Sequence, residues 1–263
     1  MSPHLKPDDI IIPFLVVSVG QACNFRCKDC GNFAPFAPKD TLRYDMGTII
    51  RDLDTIIKYA RIELLQIQGG EPFLHPQLEE LLVFVRKCRA ISLCQIATNG
   101  TVLPQVSPQS LTGEKFLVRI SNYPVQRNAS EQVEKWLIEH SIRMRIYHFQ
   151  AKTDKWYYLG KNCTDDTDVE KRFQTCAFHE CITMENGYLG HCSRAAIAQR
   201  VQNFTEPTGL LPILDRTDFK EKLYQYIHMS TYMGACIHCN GTNGGPMVPP
   251  AIQLKPGETW KDL

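Results

Sequence analysis

The chain from residue 10 to residue 149 alternates between short apolar runs and amphipathic helices, and this alternation constrains the fold most. Ile10 to Val19 has the β-branched composition of a buried strand, and Met46 to Ala60 places apolar residues at helical spacing. Repeated strand–helix units predict an α/β fold with a parallel sheet, either doubly wound or rolled toward a barrel. The further predicted elements are strands Ile62 to Gln68, Ser92 to Ala97, Phe116 to Ser121 and Arg143 to Phe149, and helices Pro76 to Cys88 and Ser130 to His140.

Composition excludes several classes of function. The 263 residues include 29 basic and 28 acidic side chains with no long run of one sign, so we expect no nucleic-acid or membrane partner. The longest apolar run is interrupted by Pro13, is too short to span a bilayer and lacks the pattern of a signal peptide, which predicts a cytoplasmic protein. Eleven cysteines in such a chain are more typical of metal or redox groups than of disulfides.

Three cysteines with the spacing C-x3-C-x2-C follow the first predicted strand. Cys23, Cys27 and Cys30 can hold three irons of a four-iron cluster and leave the fourth iron open to a small ligand. A structural zinc site normally uses four ligands, and no fourth Cys or His lies at ligand spacing beside the loop. A loop after a parallel strand lies at the edge of the sheet where α/β active sites gather, so the position and the chemistry agree.

Polar or glycine-containing motifs end three later strands at the same predicted edge. A glycine pair allows close approach of the backbone, and strand-end hydroxyl and amide side chains can face a ligand. Ordinary turn chemistry explains each motif equally well, so both interpretations stay open. The residues are Gly69, Gly70, Glu71 and Pro72 after the second strand, Thr98 and Asn99 after the third, and Ser121 and Asn122 after the fourth.

The pattern changes after Gln150, where the chain becomes polar, then rich in cysteine and glycine, with one clear helix at Asp218 to His228. We place a domain boundary between residues 160 and 161. The apolar periodicity of the last part is too sparse for a large core, so metal ligation is a plausible source of its stability. Its cysteines follow the pattern Cys176-x10-Gly187-x4-Cys192, with Cys236-x2-Cys239 later in the chain.

The cysteine loop and the Gly-Gly-Glu-Pro motif together resemble the radical S-adenosylmethionine (SAM) enzymes. The resemblance implies that residues 1–160 form a partial (β/α)6 TIM-like barrel. It also implies a 4Fe-4S cluster on Cys23, Cys27 and Cys30 whose open iron binds the amino and carboxylate groups of SAM. Residues 69–72 would then run along the methionine end of SAM, while residues 98, 99, 121 and 122 would line its ribose or carboxylate. In the family an apolar residue near the adenine usually precedes the third cysteine, and here Asp29 occupies that position.

The later cysteines resemble a twitch domain, the shortened form of the SPASM extension of radical SAM enzymes. The resemblance implies that residues 161–263 bind a second, auxiliary 4Fe-4S cluster, and it leaves Cys181 as a surplus thiol in the same segment. By position the ligands of that cluster are Cys176, Cys192, Cys236 and Cys239.

The whole set of motifs resembles the sugar- and aminocyclitol-modifying group that includes the butirosin-pathway dehydrogenase. In that family SAM is cleaved to a 5'-deoxyadenosyl radical, which removes hydrogen from a substrate carbon. If the carbon bears a hydroxyl, the electron passes to the auxiliary cluster and a ketone forms. We therefore expect oxidation of a secondary alcohol of a sugar, aminocyclitol or related metabolite, with a donor such as flavodoxin or ferredoxin. A base or polar clamp is needed near the abstracted hydrogen, and Arg143, Arg145 and His148 are candidates.

Three alternatives stay open. A radical epimerase would use Cys181 or Cys163 to return hydrogen to the opposite face of the carbon. Modification of a ribosomal peptide ranks lower, because it would favour a leader-binding domain and only a short lead precedes the first strand. The non-enzymatic alternative is a zinc-binding structural module, for which the sequence offers the motif-adjacent histidines His75, His179, His191 and His238.

Overall fold

The computed structural model describes residues 10–126, 128–150, 154, 156–158, 168–214, 217–228 and 231–258. Five parallel strands lie side by side in chain order, which confirms the predicted α/β architecture. Each element begins and ends within three residues of its predicted bounds. The strands are β1 (Ile10–Ser18), β2 (Ala60–Gln68), β3 (Ile91–Thr98), β4 (Phe116–Asn122) and β5 (Met144–His148), and the helices between them are α1 (Met46–Ile57), α2 (Leu78–Lys87) and α3 (Ala129–Glu139).

Helix α1 shows why the sequence pattern predicted these helices correctly. Asp45 caps its first turn by accepting a hydrogen bond from the Thr48 backbone N–H at 2.8 Å. Ile49, Leu53 and Ile56 recur at helical spacing and are all buried against the sheet. Among the described residues, no helix is long and apolar enough to cross a membrane.

The last third of the chain extends the same sheet instead of standing apart from it. Strand β7 (Ile182–Glu185) pairs in parallel with β1, whereas β6 (Trp156–Tyr157) and β10 (Met247–Val248) form a separate two-stranded sheet. Strands β8 (Tyr188–Gly190) and β9 (Leu211–Pro212) then continue the main sheet beyond β7 in antiparallel fashion. Within the described part of the chain, the sixth parallel strand is thus β7 beside β1, not a strand beyond β5.

The prediction of a single clear helix in the last third was wrong. Besides α6 (Phe219–Ile227), the structure contains α4 (Val169–Gln174), α5 (Ala195–Gln202) and α7 (Gly234–Ile237). These three helices are short, so each contains too few residues for an apolar repeat to be recognised.

The proposed domain boundary between residues 160 and 161 lies outside the described residues. Around α5 a second small core collects Phe33, Ala195, Ile197, Ala198, Phe204, Met233 and Ala235.

A buried glutamate joins the start of the cysteine loop to β7. Oε1 of Glu185 accepts hydrogen bonds from Gln21 Nε2 at 2.8 Å, from the Tyr44 hydroxyl at 2.8 Å and from the Ser18 hydroxyl at 3.3 Å. Its other oxygen is buried without a hydrogen-bond partner among the described residues. Burial raises the pKa of Glu185, and the three hydrogen bonds oppose that shift.

The ends of β1 and β2 approach so closely that only glycine fits between them. The Gly70 N–H donates to the Gly20 carbonyl at 2.9 Å, and the Glu71 N–H donates to the Ala22 carbonyl at 2.7 Å. A Cβ atom on Gly69 would lie 2.1 Å from the Gly20 oxygen, and one on Gly70 would lie 2.3 Å from the Ala22 oxygen. The glycine pair is therefore required by the backbone itself, whatever the cleft binds.

We predict that Glu185→Gln flattens the dependence of stability on pH. Because the folded-state pKa of Glu185 is raised, the folded protein keeps a proton that the unfolded chain releases above its ordinary pKa. Wild-type stability therefore falls as the pH rises through the interval between those two values. Urea unfolding at about pH 5 and about pH 8 should show a smaller loss for the variant than for wild type. The exposed Glu63→Gln is the matched control, and equal losses in all three proteins would contradict the prediction.

We also predict that Gly69→Ala destabilises the protein. Relief of the contact with Gly20 requires backbone movement, and overpacking of this kind costs about 1–3 kcal/mol of unfolding free energy. Gly47→Ala in the first turn of α1 is the control, since its new Cβ would meet only the exposed Asp45 side chain at 3.3 Å. A Gly69→Ala protein as stable as Gly47→Ala in urea would refute the close-approach explanation.

Candidate functional site

The three cysteines of the loop after β1 face one cleft at the carboxyl edge of the sheet. The cleft has a volume of about 200 Å³, and the ends of β2, β3 and β4 contribute to its walls. The structure thus brings together the cysteine loop and most of the predicted strand-end residues. Besides Cys23, Cys27 and Cys30, the walls include Phe25, Asn32, Gly69, Gly70, Thr98, Asn99, Arg119, Ser121, Tyr123 and Trp156.

The cysteine loop is tied to β3 by a closed set of side-chain hydrogen bonds. Asn99 Nδ2 donates to Asn24 Oδ1 at 2.9 Å, Asn24 Nδ2 donates to the Thr101 hydroxyl at 2.7 Å, and that hydroxyl donates to Asn99 Oδ1 at 2.6 Å. On the other side, Asn32 Nδ2 donates to the Gly69 carbonyl at 3.1 Å. Asn99 therefore orders the loop as well as lining the cleft.

Burial makes the three thiols poor acids in the absence of a cation. It raises the pKa of Cys23 and of Cys27 to about 12 and raises that of Cys30, with mutual repulsion of their thiolates adding to the shift at Cys23 and Cys27. A bound metal centre removes this cost, because a coordinating thiol is deprotonated outright. Among the described residues, no three His, Cys, Asp or Glu side chains lie close enough to share one metal ion. A four-iron cluster is compatible with wider spacing, since each thiolate binds a different iron.

The carboxylate of Glu71 accepts hydrogen bonds from neighbouring residues and does not line the cleft. Oε1 accepts the Thr98 hydroxyl at 2.8 Å and the Phe73 N–H at 3.1 Å, while Oε2 accepts the Asn99 N–H at 2.7 Å. Burial raises the pKa of Glu71 to about 7 against the lowering effect of these bonds. Of the four motif residues only Gly69 and Gly70 line the cleft, and a direct role of Glu71 or Pro72 toward SAM stays a prediction.

Arg119 on β4 is a cleft residue that the sequence analysis missed. Its Nε is buried without a hydrogen-bond partner among the described residues, and its guanidinium lies 5.6 Å from the centroid of the Tyr147 ring. Residues two apart on a strand share a face, so the placement of Ser121 on the cleft also placed Arg119 there. The alternation of side chains along β4 is therefore the sequence signal that indicates Arg119 as a cleft residue.

Aromatic side chains enclose the same cleft. Tyr123 packs edge-on against Trp156 with ring centroids 5.3 Å apart, and Phe25 lies on the wall beside the cysteines. Asp29, at the position that the family usually gives to an apolar residue, does not line the cleft. Burial raises the pKa of Tyr123 to about 12, so its hydroxyl stays protonated and can donate or accept a hydrogen bond.

The predicted bases lie apart from these walls. The Arg143 guanidinium donates to the Glu114 carbonyl, Arg145 stacks on Tyr147 at 5.0 Å, and a ring nitrogen of His148 lies 3.4 Å from Asn122 Nδ2. None of the three predicted bases, nor Asn122, is among the residues that line the cleft in the described part of the chain. Their roles in catalysis or SAM binding stay predictions, and Cys163 lies outside the described residues.

The four later cysteines line a second, smaller cavity of about 40 Å³. Backbone N–H groups point at two of the sulfurs, from Arg194 to Cys192 at 3.5 Å and from Gly241 to Cys239 at 3.3 Å. Burial raises the pKa of Cys192, and it raises that of Cys236 to about 11. The structure thus brings together the set proposed as ligands, Cys176, Cys192, Cys236 and Cys239, although their metal binding stays a prediction.

Cys181 does not line the four-cysteine cavity. It lies in a separate hollow beside residues 11–14 of β1, together with Glu180 and His228. Burial raises its pKa to about 11, and a repulsive interaction with Cys176 contributes. The surplus thiol is therefore placed outside both cysteine-lined cavities, and its role as a hydrogen donor stays a prediction.

Arg194 is a second residue that the sequence analysis missed, and it acts on both cysteine sites. It is buried, it lines the four-cysteine cavity, and its guanidinium stacks 4.2 Å above the centroid of Phe33. Burial raises the pKa of Cys30 and of Cys192, and the positive charge of Arg194 opposes the shift at each thiol. One cation thus favours the thiolate form in both groups.

The buried or half-buried histidines near the motifs have partners in the fold. His75 Nε2 lies 3.0 Å from the Tyr44 carbonyl oxygen, and His179 Nδ1 lies 2.6 Å from that of Cys176. His191 contacts two backbone carbonyls, and His238 lies 2.9 Å from Glu206 Oε2. Each histidine therefore has a structural role that needs no metal.

Comparison with known proteins shows similarity to one superfamily. Residues 17–124 match the Radical SAM superfamily. The GTP 3',8-cyclase of Stenotrophomonas maltophilia (strain K279a) is 31% identical over 99 residues, which are 36% of this chain and 29% of that protein. The GTP 3',8-cyclase of Helicobacter pylori (strain HPAG1) is 26% identical over 147 residues, 48% of this chain and 44% of that protein. The chain thus spans less than half the length of these curated relatives.

A solved structure resembles the chain over a larger part of its length. The crystal structure of BtrN in complex with AdoMet and 2-DOIA superposes with a TM-score of 0.50 over 84% of either chain, at 14% sequence identity. At this identity the likeness concerns the fold.

Proposed function

We propose that the protein is a radical SAM enzyme that oxidises a secondary alcohol of a sugar, aminocyclitol or related metabolite to a ketone, and the match of residues 17–124 to the Radical SAM superfamily supports this proposal. The observation that carries the proposal is the pairing of an open three-cysteine cleft with a four-cysteine cavity, with the buried Arg194 acting on a thiol of each. We assign residues 1–160 to the radical SAM barrel, to which β7 adds a sixth parallel strand, and the other residues of 161–263 to a twitch domain. The proposed location is the cytoplasm, with a flavodoxin or ferredoxin as electron donor.

The thiols of both sites suit 4Fe-4S clusters, because buried cysteines gathered in one place need a cation to become thiolates. When bound, the first cluster with SAM supplies a 5'-deoxyadenosyl radical, and the second accepts one electron. The overall change balances: one hydrogen atom leaves the alcohol carbon for deoxyadenosine, the hydroxyl proton goes to a base or to water, and one electron goes to the second site. Beyond SAM, whose deoxyadenosyl group takes the hydrogen atom, and the second site, which takes the electron, the oxidation needs no oxidant.

The chain's own residues would bind SAM by shape and charge. Gly69 and Gly70 present backbone to the cleft, and Asn99 and Ser121 offer an amide and a hydroxyl at neighbouring strand ends. Arg119 adds a guanidinium whose buried Nε is unpaired among the described residues, which suits a carboxylate or another anion. These groups would contact the parts of SAM that the open iron of the first cluster leaves free.

A small polar metabolite suits the remaining walls. Phe25, Tyr123 and Trp156 supply flat apolar surfaces on which an adenine or the carbon face of a sugar ring can stack. The protonated hydroxyl of Tyr123 offers a hydrogen bond to a substrate hydroxyl.

The competing functions make different demands on the structure. Epimerisation needs a hydrogen donor at the cleft, and Cys181 lies in another hollow. GTP cyclisation is a second candidate, favoured by the names of the matched relatives, whose similarity covers 36% to 48% of this chain. Peptide modification has no specific support among the described residues.

We predict that the two sites can be separated by counting iron. In anaerobically purified protein, Cys192→Ala should lower the iron per chain by about half, because a closed cluster needs all four thiolates. Cys181→Ala should leave iron unchanged, since this thiol lies outside both cysteine-lined cavities. Equal iron loss in the two variants would contradict the ligand set, and a colourless wild-type protein with stoichiometric zinc would favour the structural module.

The reaction itself is tested by anaerobic incubation with SAM, a reductant and candidate glycosides, aminocyclitols or GTP, followed by mass spectrometry. We expect deoxyadenosine together with a product that has lost two hydrogens, and deuterium at the alcohol carbon should appear in deoxyadenosine. Solvent deuterium in recovered substrate would indicate epimerisation, and consumption of GTP alone would indicate a cyclase.

We also predict that Arg119→Met raises the KM for SAM about tenfold or more, because it removes the guanidinium that would bind an anionic group. Arg119→Lys should bring the KM part of the way back toward the wild-type value.

A further inference from the structure

A short segment near the C-terminal end of the described residues crosses the cysteine loop. The Lys28 N–H donates to the Ile252 carbonyl at 2.7 Å, and the Leu254 N–H donates to the Arg26 carbonyl at 2.8 Å. Cys27 and Gln253 form an antiparallel bridge between these two bonds. We call residues 251–254 the strap. It pairs with the middle of the three-cysteine loop although it lies far outside residues 17–124.

The side chain of Gln253 ends at the sulfur of Cys27. Its Oε1 accepts the Arg26 backbone N–H at 2.8 Å, and its Nε2 donates to the Ala251 carbonyl at 2.9 Å and to Cys27 Sγ at 3.3 Å. The N–H of Arg26 can only donate, so the oxygen of the Gln253 amide must face it. The amide N–H groups must therefore face Ala251 and the sulfur, and the orientation is determined by its partners.

A hydrogen bond to a cluster thiolate changes the energetics of reduction. Reduction adds negative charge to the cluster and its sulfurs, so an N–H donor stabilises the reduced form more than the oxidised form and raises the potential. At Cys23 the donors are the Phe25 backbone N–H at 3.4 Å, which a change of side chain leaves in place, and the Asn99 side-chain amide at 3.9 Å, which also holds the cysteine loop. At Cys27 the donor is the side chain of Gln253, which a substitution can remove.

We propose that Gln253 is a positioning residue that raises the reduction potential of the iron-sulfur cluster held by Cys27, through an N–H···S hydrogen bond delivered by the strap. The proposal rests on the proposed function, because it takes the three-cysteine loop as the site of the SAM-binding cluster. No covalent bond changes in this step. One electron passes from a flavodoxin- or ferredoxin-type donor to the cluster, and Gln253 makes that transfer more favourable.

The test is a redox titration of the anaerobically purified full chain, followed by electron paramagnetic resonance. The transition that moves when SAM is added identifies the cluster of the three-cysteine loop, since SAM binds the open iron. At a fixed potential, Gln253→Leu should lower the reduced-to-oxidised ratio of this cluster about threefold. Gln253→Glu should lower it about tenfold, equivalent to about 59 mV for a one-electron couple, because a carboxylate oxygen replaces the donor.

The variants also separate an effect on the reduction potential of the cluster from an effect on folding. Gln253→Glu keeps the oxygen that accepts the Arg26 N–H, so it reports the potential even if Gln253→Leu loosens the strap. Ile252→Ala is the matched control: its side chain is 46% exposed, its backbone carbonyl still binds Lys28, and its potential should equal that of wild type. Unchanged potentials in both Gln253 variants, with iron retained, would overturn the proposal, as would an equal shift in Ile252→Ala.

The outcome is distinguishable from failure of the proposed function. A wild-type chain that binds no cluster at the three-cysteine loop overturns both proposals. A shifted potential in the Gln253 variants, in a protein that forms no ketone from any alcohol offered, supports the role of Gln253 and counts against the proposed reaction. If the enzyme forms a ketone and its reduction potential is the same in wild type and in the Gln253 variants, the proposed reaction is supported and the role of Gln253 is contradicted.

Discussion

One buried carboxylate connects the strand ends at the carboxyl edge of the sheet. Glu71 follows β2, yet its oxygens bind the end of β3 through the Thr98 hydroxyl and the Asn99 N–H. Asn99 in turn binds Asn24 in the cysteine loop. The chain of contacts runs from one strand end to the next and then to the cysteines. A carboxylate that accepts three hydrogen bonds in a buried place has little freedom, so it keeps the strand ends and the cysteine loop in a fixed arrangement.

Local patterns in the sequence predicted the first half of the fold, because each strand and helix there is long enough to show its period. The motifs at the strand ends were predictable for the same reason: parallel topology brings carboxyl ends to one edge. The features that the sequence did not predict depend on contacts between residues that are far apart in the chain. Nothing in the sequence around Gln253 indicates a contact with Cys27, 226 residues earlier, and Arg194 looks like an ordinary surface residue until Phe33 covers it.

The same reasoning explains the errors in the last third. Short helices such as α7 have no room for a repeat. Strand β7 pairs with β1 beside the buried network around Glu185, whose contact with Gln21 joins residues 164 positions apart in the sequence. Arg119 was missed for a different reason. Its position followed from strand alternation, but an arginine flanked by buried apolar residues was interpreted as part of a strand and not as a ligand.

The placement of β7 beside β1 also has a consequence for biosynthesis. Leu15 pairs with Ile182, so one edge of the first strand has no partner in this sheet until most of the chain has left the ribosome. A hydrophobic strand with an open edge is a site for mispairing, and contacts this distant in sequence form slowly. Correct folding of the sheet, and with it the cysteine loop that follows β1, therefore depends on late-synthesised residues. Production in cells should be sensitive to growth temperature and to chaperone supply for this reason.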